Sequence, residues 1–228
     1  MQLVRSSEQP RAIIFDFDGT LVDSAPSMTR ALNVMASRRG IDPVDVRAVR
    51  RWVSRGGEIM LRGALGESAD SLSDLEELRD LLRGQRADRA DLYPGVPDTL
   101  EALKARGYRL GICTNKREDI AVPHAHDLGI AGYMDAIVGG VEGRHLKPHP
   151  ELALVALDLL GAEAGDTIFV GDSEIDYETA IAAELPFVLV TFGYPHGDIT
   201  AIPAKARVGS FEELPRIAET MLDPTPET

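Results

Sequence analysis

A single cysteine, Cys113, in 228 residues excludes an internal disulfide and any cysteine-built zinc cluster, and fits a reducing compartment. Long apolar runs are missing too. The stretch 152–157 is typical, far short of the roughly 20 residues that cross a bilayer, and residues 1–11 hold no apolar signal core. A soluble, cytoplasmic protein with no membrane partner is expected. Positive charge is scarce: Lys plus Arg is 24 against 37 for Asp plus Glu, a net charge of −13. Such a surface repels polyanions, so nucleic acid is not an expected partner. Lysine is scarcest of the charged types, with 4 against 20 arginines. No internal repeat or low-complexity tract is present. What remains is 44% hydrophobic and 27% charged, the composition of a folded chain. Its length suits one core with a smaller insert, as a monomer or homodimer.

The first apolar run, residues 12–15, is short, continuous and bounded by Pro10 and Asp16, as in a strand buried on both faces of a parallel sheet. Similar runs recur at 108–113, 135–138, 167–170 and 187–190, separated by helical patterns. That alternation predicts an α/β class, a Rossmann-like, doubly wound parallel sheet. Pro97 and Pro150 sit where helices begin, and Gly107 and Gly161 where they end. Between residues 24 and 91 only helical patterns occur, at 27–39, 44–52, 58–65 and 72–89. This interval reads as a small all-helical cap inserted after the first strand. The expected division is a catalytic core from 11–23 and 92–222, a cap from 24–91, and flexible termini at 1–10 and 223–228.

Chemistry concentrates at the strand ends. Asp16 and Asp18 lie two apart, pointing the same way if the strand continues, with Gly19 immediately after. Asp18-Gly19 alone also suits a simple turn. Ligands of open α/β sheets, however, bind beyond the carboxyl ends of the strands, and Asp16 ends a strand that should be central. The second strand run ends in Thr114-Asn115-Lys116, where a hydroxyl and an amide can donate hydrogen bonds. The fourth ends in Gly171-Asp172-Ser173-Glu174-Ile175-Asp176, with acids four apart on one face of a helix that starts near Ser173. Lys147 lies between prolines in Leu146-Lys147-Pro148-His149-Pro150, and in a chain so poor in lysine it suggests a need for a compact ammonium. So many carboxylates require a hard dication, and Mg2+ takes one or two carboxylates together with a substrate phosphate. In that arrangement Asp16 is placed to attack phosphorus, and Asp18 to protonate the leaving alkoxide and then activate water. The second role needs Asp18 protonated at the start, which a neighbouring like charge would favour.

These segments, with Leu21-Val22-Asp23-Ser24 after the first, resemble the four ordered motifs of the haloacid dehalogenase superfamily over roughly residues 11–197. Within it, Trp52-Val53-Ser54-Arg55-Gly56-Gly57-Glu58, Tyr93-Pro94-Gly95-Val96 and Thr191-Phe192-Gly193-Tyr194 are similar to segments of phosphoglycolate phosphatases. The resemblance implies Mg2+ held by the carboxylates of Asp16 and Asp172 and the main-chain carbonyl of Asp18. It implies Gly19, Thr114, Asn115 and Lys147 around the phosphate, and Asp16, Asp18, Thr114 and Lys147 as the catalytic set. Asp176 and Ser173 would support that set, Asp176 by steadying Lys147 or a metal-bound water. The cap loop Ser54, Arg55, Gly56, Gly57 and Glu58 would read the organic part of a small phosphorylated metabolite, 2-phosphoglycolate first. Two departures stand out: Glu184 before Leu185-Pro186, where glycine is frequent, and residues 141–145 ahead of Lys147.

The alternatives are a phosphatase for a nucleotide, pyrophosphate or sugar phosphate, a sugar-phosphate mutase, or, outside enzymes, a phosphate receiver or silent binding module. Dehalogenation would leave Asp18 and Asp172 without a role. Other features read as structure. His145 and His149 are spaced like a zinc pair, but Pro148 and Pro150 interrupt any helix that would align them. His124 and His126 read as surface residues, Cys113 as a small hydrophobe, and Trp52 with Met28, Met35 and Met60 as cap interior. The run 72–89 reads as a solvated helix face.

Overall fold

The computed structural model describes residues 10–53, 56–70, 72–195 and 197–223. Six parallel strands form one sheet in the order β3-β2-β1-β4-β5-β6. They are β1 (Ala12–Phe15), β2 (Arg109–Arg117), β3 (Ala136–Gly140), β4 (Thr167–Gly171), β5 (Phe187–Val190) and β6 (Ala206–Val208). Successive residues of a strand face opposite sides, and both sides here are apolar. Ile13 and Phe15 of β1, with Ile168 and Val170 of β4, join one hydrophobic cluster. Ala12, Ile14 and Phe169 join the other. Helices α5 (Val96–Ala105), α6 (Glu118–Asp127) and α9 (Leu214–Leu222) cover the first face; α7 (Glu151–Leu160) and α8 (Glu174–Ala182) cover the second. This is the doubly wound α/β arrangement, with β1 and β4 at its centre.

Between β1 and β2 run α1 (Ala25–Arg38), α2 (Val46–Arg50), α3 (Gly57–Leu65) and α4 (Ser73–Arg83). They pack around a cluster of their own that includes Leu32, Met35, Leu61 and Leu78. The entering and leaving links lie side by side: Asp23 N–H donates to Asp91 O at 2.8 Å and Tyr93 N–H to Leu21 O at 3.1 Å.

Three local expectations are corrected. The helix expected over 72–89 stops at Arg83, where Gly84, a poor helix former, caps it. Nor is that run wholly solvated, because Asp74, Leu78 and Leu82 are buried and Asp74 is ion-paired to Arg39. His124 is buried, with Nε2 3.1 Å from Leu82 O, and burial lowers its pKa. Glu184 takes φ 59°, a left-handed conformation that costs a residue with a Cβ on the order of 1 kcal/mol and that glycine would adopt without that cost. Gly161, by contrast, ends α7 at φ 62° without that cost.

Candidate active site

The site lies beyond the carboxyl ends of β1, β2 and β4. After Phe15 the chain closes a tight loop, with Leu21 N–H and Val22 N–H each donating to Phe17 O at 3.0 Å and Gly19 N–H donating to Val22 O at 2.8 Å. Gly19 has φ 95°, a conformation that favours glycine. The turn and the functional loop are therefore the same feature, and it brings both Asp16 and Asp18 to one cavity.

Lys147 joins the loops. Its Nζ donates to Asp16 Oδ1 at 2.6 Å and to Asp176 Oδ1 at 2.7 Å, with the lysine side chain only 4% exposed. Asn115 fixes the lysine from behind: its Nδ2 donates to Lys147 O at 3.0 Å and its Oδ1 accepts from Lys147 N–H at 2.7 Å. The Asn115 side-chain amide, expected at the phosphate, is thus engaged with the main chain of Lys147. Asp176 Oδ2 accepts from Asp172 N–H, Ser173 N–H and Ser173 Oγ. Ser173 caps α8 as its position suggested, and both Asp176 oxygens are occupied in support.

A second lysine, to which its sequence context assigns no role, completes the site. Lys116 Nζ donates to Asp18 Oδ1 at 2.6 Å, its side chain 5% exposed. Asp18 therefore meets an ammonium as well as the like charge expected from Asp16. The scarcity of lysine that singled out Lys147 applies equally to Lys116. Thr114 is buried, lines the cavity, and accepts from Lys116 N–H at 3.1 Å. Here β2 shifts register between Cys113 and Arg117, an irregularity that turns the strand end toward the site. Cys113 itself behaves as a hydrophobe; burial pushes its thiol up to about 12.

Asp172 is fully buried beside Asp16, and oxygens of Asp16, Asp172 and Asp176 lie within 4.8 Å of one another. Burial raises the Asp16 carboxyl to about 7 despite Lys147, with Asp176 and Asp18 adding to the rise. Burial, then Asp176 and Asp16, raise Asp172 well above the usual carboxylate range. Fully ionised, four carboxylates beside two ammoniums would carry two negative charges in excess, a charge that burial resists at Asp16 and Asp172. An all-oxygen, doubly anionic cluster suits a small hard dication, so the residues fit Mg2+.

Tyr194 ties the site to the helical insert. Its N–H donates to Asp172 Oδ2 at 2.5 Å, its hydroxyl donates to Asp23, and that hydroxyl accepts from Ala25 N–H at 3.1 Å. Gly193 makes this approach possible: a Cβ there would overlap Asp172 Cβ, Asp172 Oδ2 and Gly19 O. Gly193→Ala is expected to cost about 1–3 kcal/mol through overpacking, a Tm loss of roughly 3–10 °C. Gly165→Ala, where nothing lies within 4 Å, is the control that should leave Tm unchanged. Equal melting of both variants would show that Gly193 is not sterically required.

The cavity measures about 270 Å3. The helical insert roofs it with Met28, Val53, Met60, Leu78 and Leu82, and with Gly56, Gly57, Glu58 and Arg79. Of the expected cap loop, Gly56, Gly57 and Glu58 reach the cavity, whereas Ser54 and Arg55 lie outside the described residues. Arg79, paired with Glu76, and Arg117, paired with Asp119, also line the cavity. Arg79 carried no distinguishing sequence signal, since it sits in a run of alternating charges.

Residues 13–190 match the haloacid dehalogenase-like hydrolase family. The chain belongs to this family. The haloacid dehalogenase-like chain is 37% identical over 215 residues to a phosphoglycolate phosphatase of Rhodospirillum rubrum, covering 90% of this chain and 89% of that one. It is 35% identical over 195 residues to phosphoglycolate phosphatase 1 of Pseudomonas aeruginosa, covering 82% and 72%. A crystal structure from Haemophilus somnus, described as a predicted phosphoglycolate phosphatase, superposes with a TM-score of 0.78 at 26% identity, covering 93% of this chain and 99% of that one. The chain is accordingly an enzyme, a hydrolase of phosphatase type. No helix among the described residues is long and apolar enough to cross a membrane.

Proposed function

We propose that this hydrolase cleaves a small phosphomonoester, 2-phosphoglycolate first among candidates, through a phosphoryl group carried on Asp16 and with Mg2+ as cofactor. The observation that carries the reading is the ion-pair cluster of Asp16, Lys147 and Asp176 on the floor of a cavity, with Asp18 and Lys116 beside it. Asp16 and Asp172 would hold the metal through carboxylates and Asp18 through its main-chain carbonyl. When bound, Mg2+ would neutralise the clustered carboxylates and the charge on the transferring phosphoryl oxygens.

The chain's own residues supply the rest. An Asp16 carboxylate oxygen attacks phosphorus in line, the bond to the leaving oxygen breaks, and Lys147 and the Thr114 hydroxyl balance charge on the transferred group. The Asp18–Lys116 pair holds the proton-transfer group at the same cavity. Asp18 in its carboxylic-acid form delivers its proton to the leaving alkoxide, and the carboxylate left behind withdraws one from the water that attacks the aspartyl-phosphate, which restores the acid. Hydrolysis then returns Asp16 and releases phosphate. Arg79 and Arg117 suit an anionic substrate, and a 270 Å3 chamber suits a small one. The names of the relatives favour phosphoglycolate among such molecules.

Phosphate release from a panel of 2-phosphoglycolate, sugar phosphates, nucleotides and pyrophosphate tests the reading. Release should be highest in kcat/KM on phosphoglycolate, vanish in EDTA and return with Mg2+. Preference for another ester would move the substrate but keep the chemistry. Release that survives chelation would remove the metal from the proposal, and no release from any ester would overturn it.

A further inference from the structure

Outside the catalytic cavity, the described residues include one other cluster with metal-ligand chemistry: His145, His149 and Glu151. The prolines do prevent a helix here, but the loop aligns the rings without one. The imidazoles stack with centroids 4.4 Å apart and 28° between planes. His145 Nδ1 lies 2.6 Å from Glu151 Oε2, which also accepts from His145 N–H at 3.0 Å. Glu151 N–H donates to His149 Nδ1 at 3.2 Å, so this nitrogen is unprotonated, and a metal would take over its lone pair as that hydrogen bond opens. One ligand atom from each side chain falls within 4.8 Å of the others, and both histidines are exposed to solvent.

We propose that His145, His149 and Glu151 form a second metal site, for a borderline divalent transition ion of the Zn2+ kind, on the outer side of the loop that carries Lys147. Two imidazoles and a carboxylate are a ligand set for zinc and its neighbours, whereas Mg2+ prefers oxygen alone. Zinc bonds of about 2.0–2.2 Å put tetrahedral ligand atoms roughly 3.3 Å apart. The His145–Glu151 contact must open by roughly 0.7 Å from 2.6 Å and the third ligand must close in, movements open to exposed side chains. The metal displaces the proton shared by His145 and Glu151, and water completes the fourth position. Pro148 and Pro150 restrict the backbone around His149, which reduces the entropy lost on binding.

The test is titration of tag-free, metal-stripped protein with ZnCl2 in a large excess of MgCl2, followed by calorimetry. One equivalent should bind, and His145→Ala and His149→Ala should each weaken it at least about tenfold. Both variants alter exposed side chains, and an unchanged Tm in EDTA checks that they fold. Electron paramagnetic resonance of the wild-type protein with one equivalent of Cu2+ should show coupling to nitrogen. Zinc binding that is absent or unaltered by the histidine variants, or an oxygen-only copper spectrum, would overturn the site.

Discussion

Asp16→Asn is expected to fold normally and to lose at least about 10⁴-fold in kcat/KM on every phosphomonoester that the wild type accepts. An amide of the same shape can still accept from Lys147 but is a poor nucleophile toward phosphorus. Stability provides an independent readout. Burial holds the Asp16 carboxyl at about 7, against an ordinary value of 3.8. A raised carboxyl pKa weakens the fold as pH climbs from about 4 through about 7, because the unfolded chain ionises first. The amide has no such charge to bury, so in chelator at pH 8 the variant should melt at or above the wild type. Near pH 4 this advantage should vanish. Residual activity above about one per cent of wild type would refute Asp16 as nucleophile.

Lys147→Met is expected to damage both activity and fold. The ammonium lies between Asp16 and Asp176, and removing one member of a buried ionic network typically costs about 3–5 kcal/mol. Loss of a charge-stabilising donor should lower kcat by at least about 10²-fold. The deficit should depend on pH. With Lys147 absent, the main group that opposes burial at Asp16 is gone, so its carboxyl rises beyond about 7 and the window over which pH weakens the fold extends upward. The Tm gap between variant and wild type in chelator should therefore widen from pH 6 to pH 8.5. A gap that is constant or that narrows would mean that Lys147 does not neutralise these carboxylates in the folded state.

Much of the scaffold was legible in the sequence because its strands are buried on both faces, and short runs such as 12–15 and 187–190 carry that burial as unbroken apolar character. β6 was not legible for the opposite reason: it is three residues long at the sheet edge, and only Val208 is fully buried. The site residues were visible at the strand ends, but their pairing was not. Lys147 meets Asp16 across 131 positions and Lys116 meets Asp18 across 98. Lys116 ends β2, which flanks β1, and Lys147 follows β3, one strand further out, an arrangement that local pattern cannot specify. His145 and His149 illustrate the same point, since their alignment comes from a loop conformation without helical periodicity.

Tyr194 has a consequence for how the molecule moves. Its main chain grips Asp172 while its hydroxyl grips Asp23 and Ala25 at the start of the helical insert. The floor of the site and the entry of its roof thus share one residue. A change in either is paid out at the other as free energy: if loading the carboxylates biases the entry toward one posture, holding the entry in that posture must tighten loading by the same factor. Were the carboxylates to take a cation, Tyr194 is the residue that joins its site to the start of the helical insert.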